Sequence, residues 1–237
     1  MSDPLPRGPS RFLTIDAPPG GGVDVELEIK RSRFLTRLRR VTSEDEARAV
    51  IEDRRRTHFD ARHHCSAFVL GPDARTARSS DDGEPSGTAG VPMLGVLGSN
   101  HLTDVVAVAT RYFGGVKLGA GGLVRAYSDA VARAVAAAGT RTVVLCSVLA
   151  VEVSAADAGS VQSQLRGLVL GDGTHVMVDG VAWAQTATIR LAVPRQSRGD
   201  FDVALTALSS GSLVARFVDE RWVDQTSPDS SSRSSLA

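Results

Sequence analysis

The sequence predicts an α+β protein of two domains, and three observations carry that prediction. Val23-Asp24-Val25-Glu26-Leu27-Glu28-Ile29 alternates apolar and polar residues strictly, as a strand with one buried face does. A glycine-rich turn, Gly119-Ala120-Gly121-Gly122, runs into a helical stripe of Leu123, Tyr127, Val131, Ala134 and Ala138. Beyond it, residues 143–224 read in the order βαββαβ, the ferredoxin-like pattern.

Taken in chain order, residues 1–22 read as a disordered lead, because Pro4, Pro6, Pro9, Pro18, Pro19 and Gly20-Gly21-Gly22 offer little to pack. Residues 23–141 form the first domain. After the alternating strand a second strand covers about Arg33 to Val41. Ser43 then stands three residues ahead of Glu46, a capping box that opens a helix to about Arg56. His64–Leu70 is a strand that leaves through Gly71-Pro72-Asp73. Ser79–Gly90 is polar and aperiodic and reads as a loop, Pro92–Leu97 as a short helix, and the wholly apolar Val105–Ala109 as a central strand. Gly139 closes the long helix that follows the glycine-rich turn.

The second domain, 143–224, reads as strand 143–153, helix 155–168, strands 175–179 and 183–193, helix 197–208 and strand 212–223. Turns are expected at Gly171-Asp172-Gly173 and Asp179-Gly180, and Trp183 and Trp222 are expected between the sheet and its helices. The Ser-rich residues 225–237 read as a disordered tail.

Composition removes several function classes. No apolar run is long enough to cross a bilayer and no signal-type apolar core stands near the start, so a cytoplasmic location and no membrane partner are expected. Two cysteines, Cys65 and Cys146, are too few for a disulfide framework and lie in strand-like surroundings. The net charge of zero hides 18 Lys/Arg against 15 Asp/Glu over 23–141 and 6 against 9 over 146–224. Neither balance is that of a dedicated nucleic-acid binder, and nothing signals DNA specifically.

The motifs that carry chemistry cluster in the first domain. His63-His64-Cys65 invites a metal reading, but alternation on a strand sends His64 to the face opposite His63 and Cys65, so no metal and no cofactor are expected and one histidine lining a pocket remains. Asp81, Asp82 and Glu84 crowd three carboxylates into Ser80-Asp81-Asp82-Gly83-Glu84-Pro85, which fits either a pocket wall or a loop whose acids cap their own backbone. Gly119, Gly121 and Gly122 before a helix let the backbone approach a ligand and leave the first amides free for an anion, with Lys117 and Arg125 as added cations. The alternative there is a tight turn with close helix–sheet packing. Arg111 and Tyr112 set a cation beside aromatic faces, as in single-strand RNA binding, and Lys30, Arg31 and Arg33 add charge nearby.

The same stretches resemble the signature of the YigZ/IMPACT family. They are Ala61-Arg62-His63-His64-Cys65, Ser80-Asp81-Asp82-Gly83-Glu84-Pro85-Ser86-Gly87-Thr88-Ala89-Gly90, Pro92-Met93-Leu94, and the run from Arg111 to Tyr127, with Lys30-Arg31-Ser32-Arg33-Phe34 as the early basic segment. The resemblance spans about Val23 to Asp224. It implies a first domain folded like the second domain of a small-subunit ribosomal protein, a fold shared with domain IV of elongation factor G and with GHMP-type kinases. It also implies a ferredoxin-like second domain similar to domain V of that factor. Family members are linked to translation and nucleic-acid binding, so RNA or the ribosome is the expected partner of a non-enzymatic module. Eukaryotic members restrain a starvation kinase through an additional N-terminal domain. The 22 residues ahead of Val23 are no match for it, and that role is not carried over. The other function in view is an enzyme or small-ligand binder, in which a histidine, the acidic loop and the glycine-rich turn share one anion pocket. No nucleophile–base pair is legible, so no reaction is named.

Overall fold

The computed structural model describes residues 8–225 of the chain. It is an α+β protein of two compact units, one ending at Thr142 and taking in Gln225, the other Val143–Asp224. Apart from Gln225, the tail expected to be disordered lies outside the described residues.

In the first unit, β1 (Arg11–Ile15) precedes the hairpin β2 (Gly22–Ile29) and β3 (Ser32–Arg40), helix α1 (Glu44–Thr57), β4 (His63–Leu70) and β5 (Thr76–Ser80). Helix α2 (Gly90–Ser99), β6 (Val105–Tyr112) and α3 (Ala120–Ala138) complete it. The sheet runs β2-β3-β6-β4-β5 with every pair antiparallel, so the apolar β6 is central, as its sequence demands. Alternation sends Phe34, Leu38, Cys65, Ala107 and Ala109 to one face, under α2 and α3, and Phe68, Leu70, Val106 and Val108 to the other, under α1.

Local chemistry sets the helix ends. Ser43 Oγ accepts the Glu46 amide at 3.2 Å, while Glu46 reaches back to the amide of Thr42 at 2.6 Å, so the capping box closes one residue early. Gly139 ends α3 at φ 68° with its amide on the Val135 carbonyl. Gly90 lets α2 start against β5: a Cβ there would stand 2.7 Å from the Ser80 nitrogen.

The lead is a correction to the sequence reading. Residues 11–15 form a strand, Ile15 is fully buried, the Leu13 carbonyl accepts the Thr103 amide, and the Asp16 amide donates to Gly139. Phe12, Leu13 and Ile15 supply apolar surface that the surrounding prolines and glycines obscured. Strand β5 is a second correction, since its exposed TARSS sequence carries no alternation and is held by pairing with β4.

The second unit contains β7 (Thr140–Val153), α4 (Ala158–Gly167), β8 (Met177–Trp183), β9 (Ala187–Pro194), a 3₁₀ turn at Arg195–Ser197, α5 (Arg198–Leu208) and β10 (Ala215–Asp224). Its strands lie in the order β10-β7-β9-β8, all antiparallel, which is the ferredoxin-like arrangement. Phe201 and Leu205 of α5 and Leu165 of α4 pack on Leu149, Val151, Ile189 and Leu191. Asp179-Gly180 marks a register shift inside β8 rather than the expected turn, which falls at residues 184–186. Trp183 is 63% exposed and not packed beneath the helices. No described helix is long and apolar enough to cross a membrane.

Replacing Ser43 with Ala removes the α1 cap and is expected to lower unfolding free energy by about 1 kcal/mol in urea titration, with the m-value unchanged.

Candidate functional site

The site is built where β6 ends. At that point the β2–β3 hairpin, the loop from β5 to α2 and the start of α3 meet around one charged group. Arg111, 7% exposed, donates from Nη1 to Glu84 Oε1 at 2.7 Å, and its Nη2 lies 3.4 Å from Ser32 Oγ. The same Glu84 oxygen accepts the Tyr127 hydroxyl at 2.9 Å. The guanidinium also stands over the rings of Phe34, at 5.6 Å, and Phe113, at 5.7 Å. Arg111 Nε has no hydrogen-bond partner among the described residues. Sequence reasoning offered Arg111 as a surface cation for phosphates. The structure makes it an interior group that joins four segments.

The acidic loop is taken apart by its own hydrogen bonds. Asp81 accepts the amides of Gly87, Ala89 and Gly90 at 2.8–2.9 Å, which fixes the turn ahead of α2. Burial works to raise its pKa, yet the three amides outweigh it and hold the carboxyl below its ordinary value. Asp82, at φ 42°, accepts the His64 amide at 2.6 Å and Arg55 Nη2 at 2.7 Å. Glu84 turns inward to Arg111. The three carboxylates therefore do not converge, and among the described residues no group of His, Cys, Asp or Glu is arranged to hold a metal ion.

A cleft of about 790 Å³ opens beside this centre. Glu84 and Arg111 form its back, His63 and Tyr112 one side, and Lys117, Gly119 and Ala120 the mouth, with Phe113, Leu118 and Leu123 as apolar wall. Gly119, at φ 73°, is the N-cap of α3, and no side chain caps the helix, so its first amides are left for another acceptor. The His63 ring is oriented by its Nδ1, which donates to the Asp82 carbonyl at 2.9 Å, because a carbonyl only accepts. Cys65 is no nucleophile. Burial, with a lesser contribution from the nearby carboxylates, pushes its thiol up to about 12, although the Tyr127 hydroxyl beside it pulls the other way.

Of the residues singled out in the sequence, His63, Glu84, Arg111, Tyr112, Lys117 and Gly119 line the cleft. Gly121, Gly122, Asp81, Asp82 and His64 do not; His64 lies on the α1 face, its Nε2 against the His58 carbonyl. Lys30 and Arg31 form the two-residue β2–β3 turn at φ 47° and 67°, and Gly114 fits so closely below it that a Cβ would lie 2.0 Å from the Arg31 carbonyl carbon. Arg33 is exposed, pairs with Glu26 at 2.6 Å and stands over the Tyr112 ring; Arg125 is exposed on α3. Asp60, which accepts the Tyr112 hydroxyl at 2.8 Å, and Arg62 also belong to the cleft and were missed, since the loop that presents them carries no pattern.

Comparison with known proteins agrees on a relationship along most of the chain. The family model described as the Impact N-terminal domain matches residues 30–135. The IMPACT family member YvyE of Bacillus subtilis is 36% identical over 186 residues, 78% of this chain and 83% of the relative. The IMPACT family member YigZ of Escherichia coli is 36% identical over 208 residues, 85% of this chain and 97% of the relative. A solved structure described as a hypothetical protein is 33% identical, covers 89% of this chain and 98% of its own, and superposes with a TM-score of 0.56.

Two outcomes are expected. Arg111→Ala leaves Glu84 buried without a cation and should cost about 3–5 kcal/mol in chemical denaturation. Asp81 contributes stability that is present above its unfolded value of 3.8 and is lost as pH falls through the lower folded value. Asp81→Asn should therefore flatten the fall in stability below about pH 4, read from melting temperature against pH.

Proposed function

This chain belongs to the IMPACT family, and from that premise we propose that it is a binding protein whose first unit seats a phosphate-bearing small molecule in the β6–α3 cleft. The observation that carries the proposal is the uncapped start of the 19-residue α3, which opens into the cleft beside Lys117 with the buried Arg111 behind it. Free amides and the partial positive charge at a helix start suit a phosphate, and a nearby ammonium strengthens the contact. The cleft volume falls in the range of small-molecule sites, and Phe113, Leu118 and Leu123 offer a wall for an apolar or planar group attached to the phosphate. His63, held by Asp82 through Nδ1, keeps Nε2 for a hydrogen bond with a ligand hydroxyl.

A second reading has the chain grip RNA or a ribosomal surface as a translation-associated module. The exposed Lys30, Arg31, Lys117 and Arg125 favour it. Weighing against it, Arg33, Arg37, Arg39, Arg55 and Arg111 are each committed to a carboxylate within the chain. Those five arginines are thereby less available to displace counterions from a nucleic acid.

Calorimetric titration with inorganic phosphate, nucleoside monophosphates and sugar phosphates tests the first reading. Saturable binding is expected for at least one phosphate ester, weakened roughly tenfold by Lys117→Ala, the effect of about 1.4 kcal/mol for one charge-assisted contact. Ala120→Asp sets a carboxylate at the helix start, which suits the helix but repels an anion, and should abolish binding with the fold intact. Ester binding unchanged in Ala120→Asp would overturn the proposal. Co-sedimentation with ribosomes that declines steeply from ~50 to ~200 mM salt would favour the second reading instead.

A further inference from the structure

The opposite face of the same sheet carries a second feature, which meets the first cleft where His58 Nδ1 lies 3.0 Å from the Tyr112 hydroxyl. Arg54 of α1 is 5% exposed, and its guanidinium makes no hydrogen bond with any described residue. Its one ionic neighbour is Asp24, at 3.7 Å, beyond hydrogen-bond reach. That carboxylate is already claimed by Arg37 at 2.9 Å and Arg39 at 2.5 Å. The other acids nearby are claimed as well, Asp53 by Arg37 at 2.5 Å and Arg56 at 3.3 Å, and Glu26 by Arg33 at 2.6 Å. Five guanidiniums thus share three carboxylates, and the most deeply buried of the five has the weakest partner. A weakly paired charge out of water is costly, so a position of this kind favours a closer counter-charge.

The space for one is present. Arg54 lines a cleft of about 260 Å³ with Asp24, Glu26, Leu35, Arg37 and His58. Next to Leu35 in the sheet register, the Thr110 hydroxyl is fully buried and also lacks a partner. The two carboxylates that line the cleft, Asp24 and Glu26, are each held more closely by other arginines than Asp24 is by Arg54. The cleft volume is below that of most drug-sized sites, which limits the occupant to a few heavy atoms.

We propose that this cleft binds a compact oxyanion, inorganic phosphate or a small carboxylate, on the guanidinium of Arg54. A planar fork of N–H donors matches the paired oxygens of either group. Binding would also satisfy the orphaned Nε and add a counter-charge closer than Asp24 at 3.7 Å.

Nitrogen-15-labelled full-length protein, titrated at constant ionic strength with phosphate, with acetate and with chloride as control, gives the test. The side-chain Nε–H signal of Arg54 and the amide of His58 should shift saturably with phosphate or acetate and not with chloride. Both shifts should persist in Ala120→Asp, which closes only the first cleft, and vanish for His58 in Arg54→Met. Because Arg54→Met replaces a buried charge with only a distant, shared carboxylate by an apolar chain of similar length, its melting temperature in anion-free buffer should be no lower than that of the parent. Absence of a saturable Arg54 shift at tens of millimolar overturns the proposal. So does persistence of the His58 shift in Arg54→Met, or a markedly lower melting temperature for that variant, since the charge would then already be compensated within the chain.

Discussion

The buried pair between Arg111 and Glu84 is the interaction on which the first unit depends. Two charges out of water are tolerable only when their remaining hydrogen-bonding capacity is met and the geometry is tight. Here the surrounding segments meet all of it but the Arg111 Nε–H: Ser32 from the hairpin, Tyr127 from α3, and the rings of Phe34 and Phe113 on the flanks. Each of these segments is distant in sequence from the others, so the pair acts as a positional lock. It fixes the end of β6, and through it the register at which the glycine-rich turn enters α3. The cleft beside it is a consequence: a buried, charge-paired wall next to a helix start that no described side chain caps.

The two faces of the central sheet use charge differently. Under α2 and α3 the Arg111–Glu84 pair is embedded in apolar packing. Under α1 the arginines and acids of β2, β3 and α1 form a shared network at the edge of a smaller apolar cluster of Phe68, Leu70, Val106 and Val108. A net charge of zero therefore says little about local fields. Pairing within the chain consumes many of the formal cations, and two that are weakly paired or unpaired, a buried Arg54 and an exposed Lys117, each border a cleft where an anion has something to meet.

Much of the fold was legible because it rests on local rules. Strict alternation announced β2, the Ser43–Glu46 spacing announced α1, and the stripe from Leu123 to Ala138 announced α3. What was not legible depends on partners far away in the chain. Strand β5 is a strand because β4 offers it hydrogen bonds, and β1 is anchored by Thr103 and Gly139. The site divides in the same way. Residue types pointed correctly to the stretches that build the cleft, from His63 to Gly119. Sequence could not tell that Asp81 and Asp82 are spent on backbone amides, that Arg111 faces inward, or that Arg54 is stranded, because each of these follows from which acid lies nearest in space.

The β2–β3 turn has a consequence for how this chain trades stability against function. Its two residues adopt the left-handed conformation that Asn-Gly adopts at little cost, yet they are Lys30 and Arg31. Left-handed backbone disfavours such side chains by roughly 1–2 kcal/mol per residue. Selection for stability alone would remove both. Their presence means that the hairpin tip carries its positive charge against the preference of its own backbone, and a version of this chain optimised for heat resistance would be expected to lose that charge first.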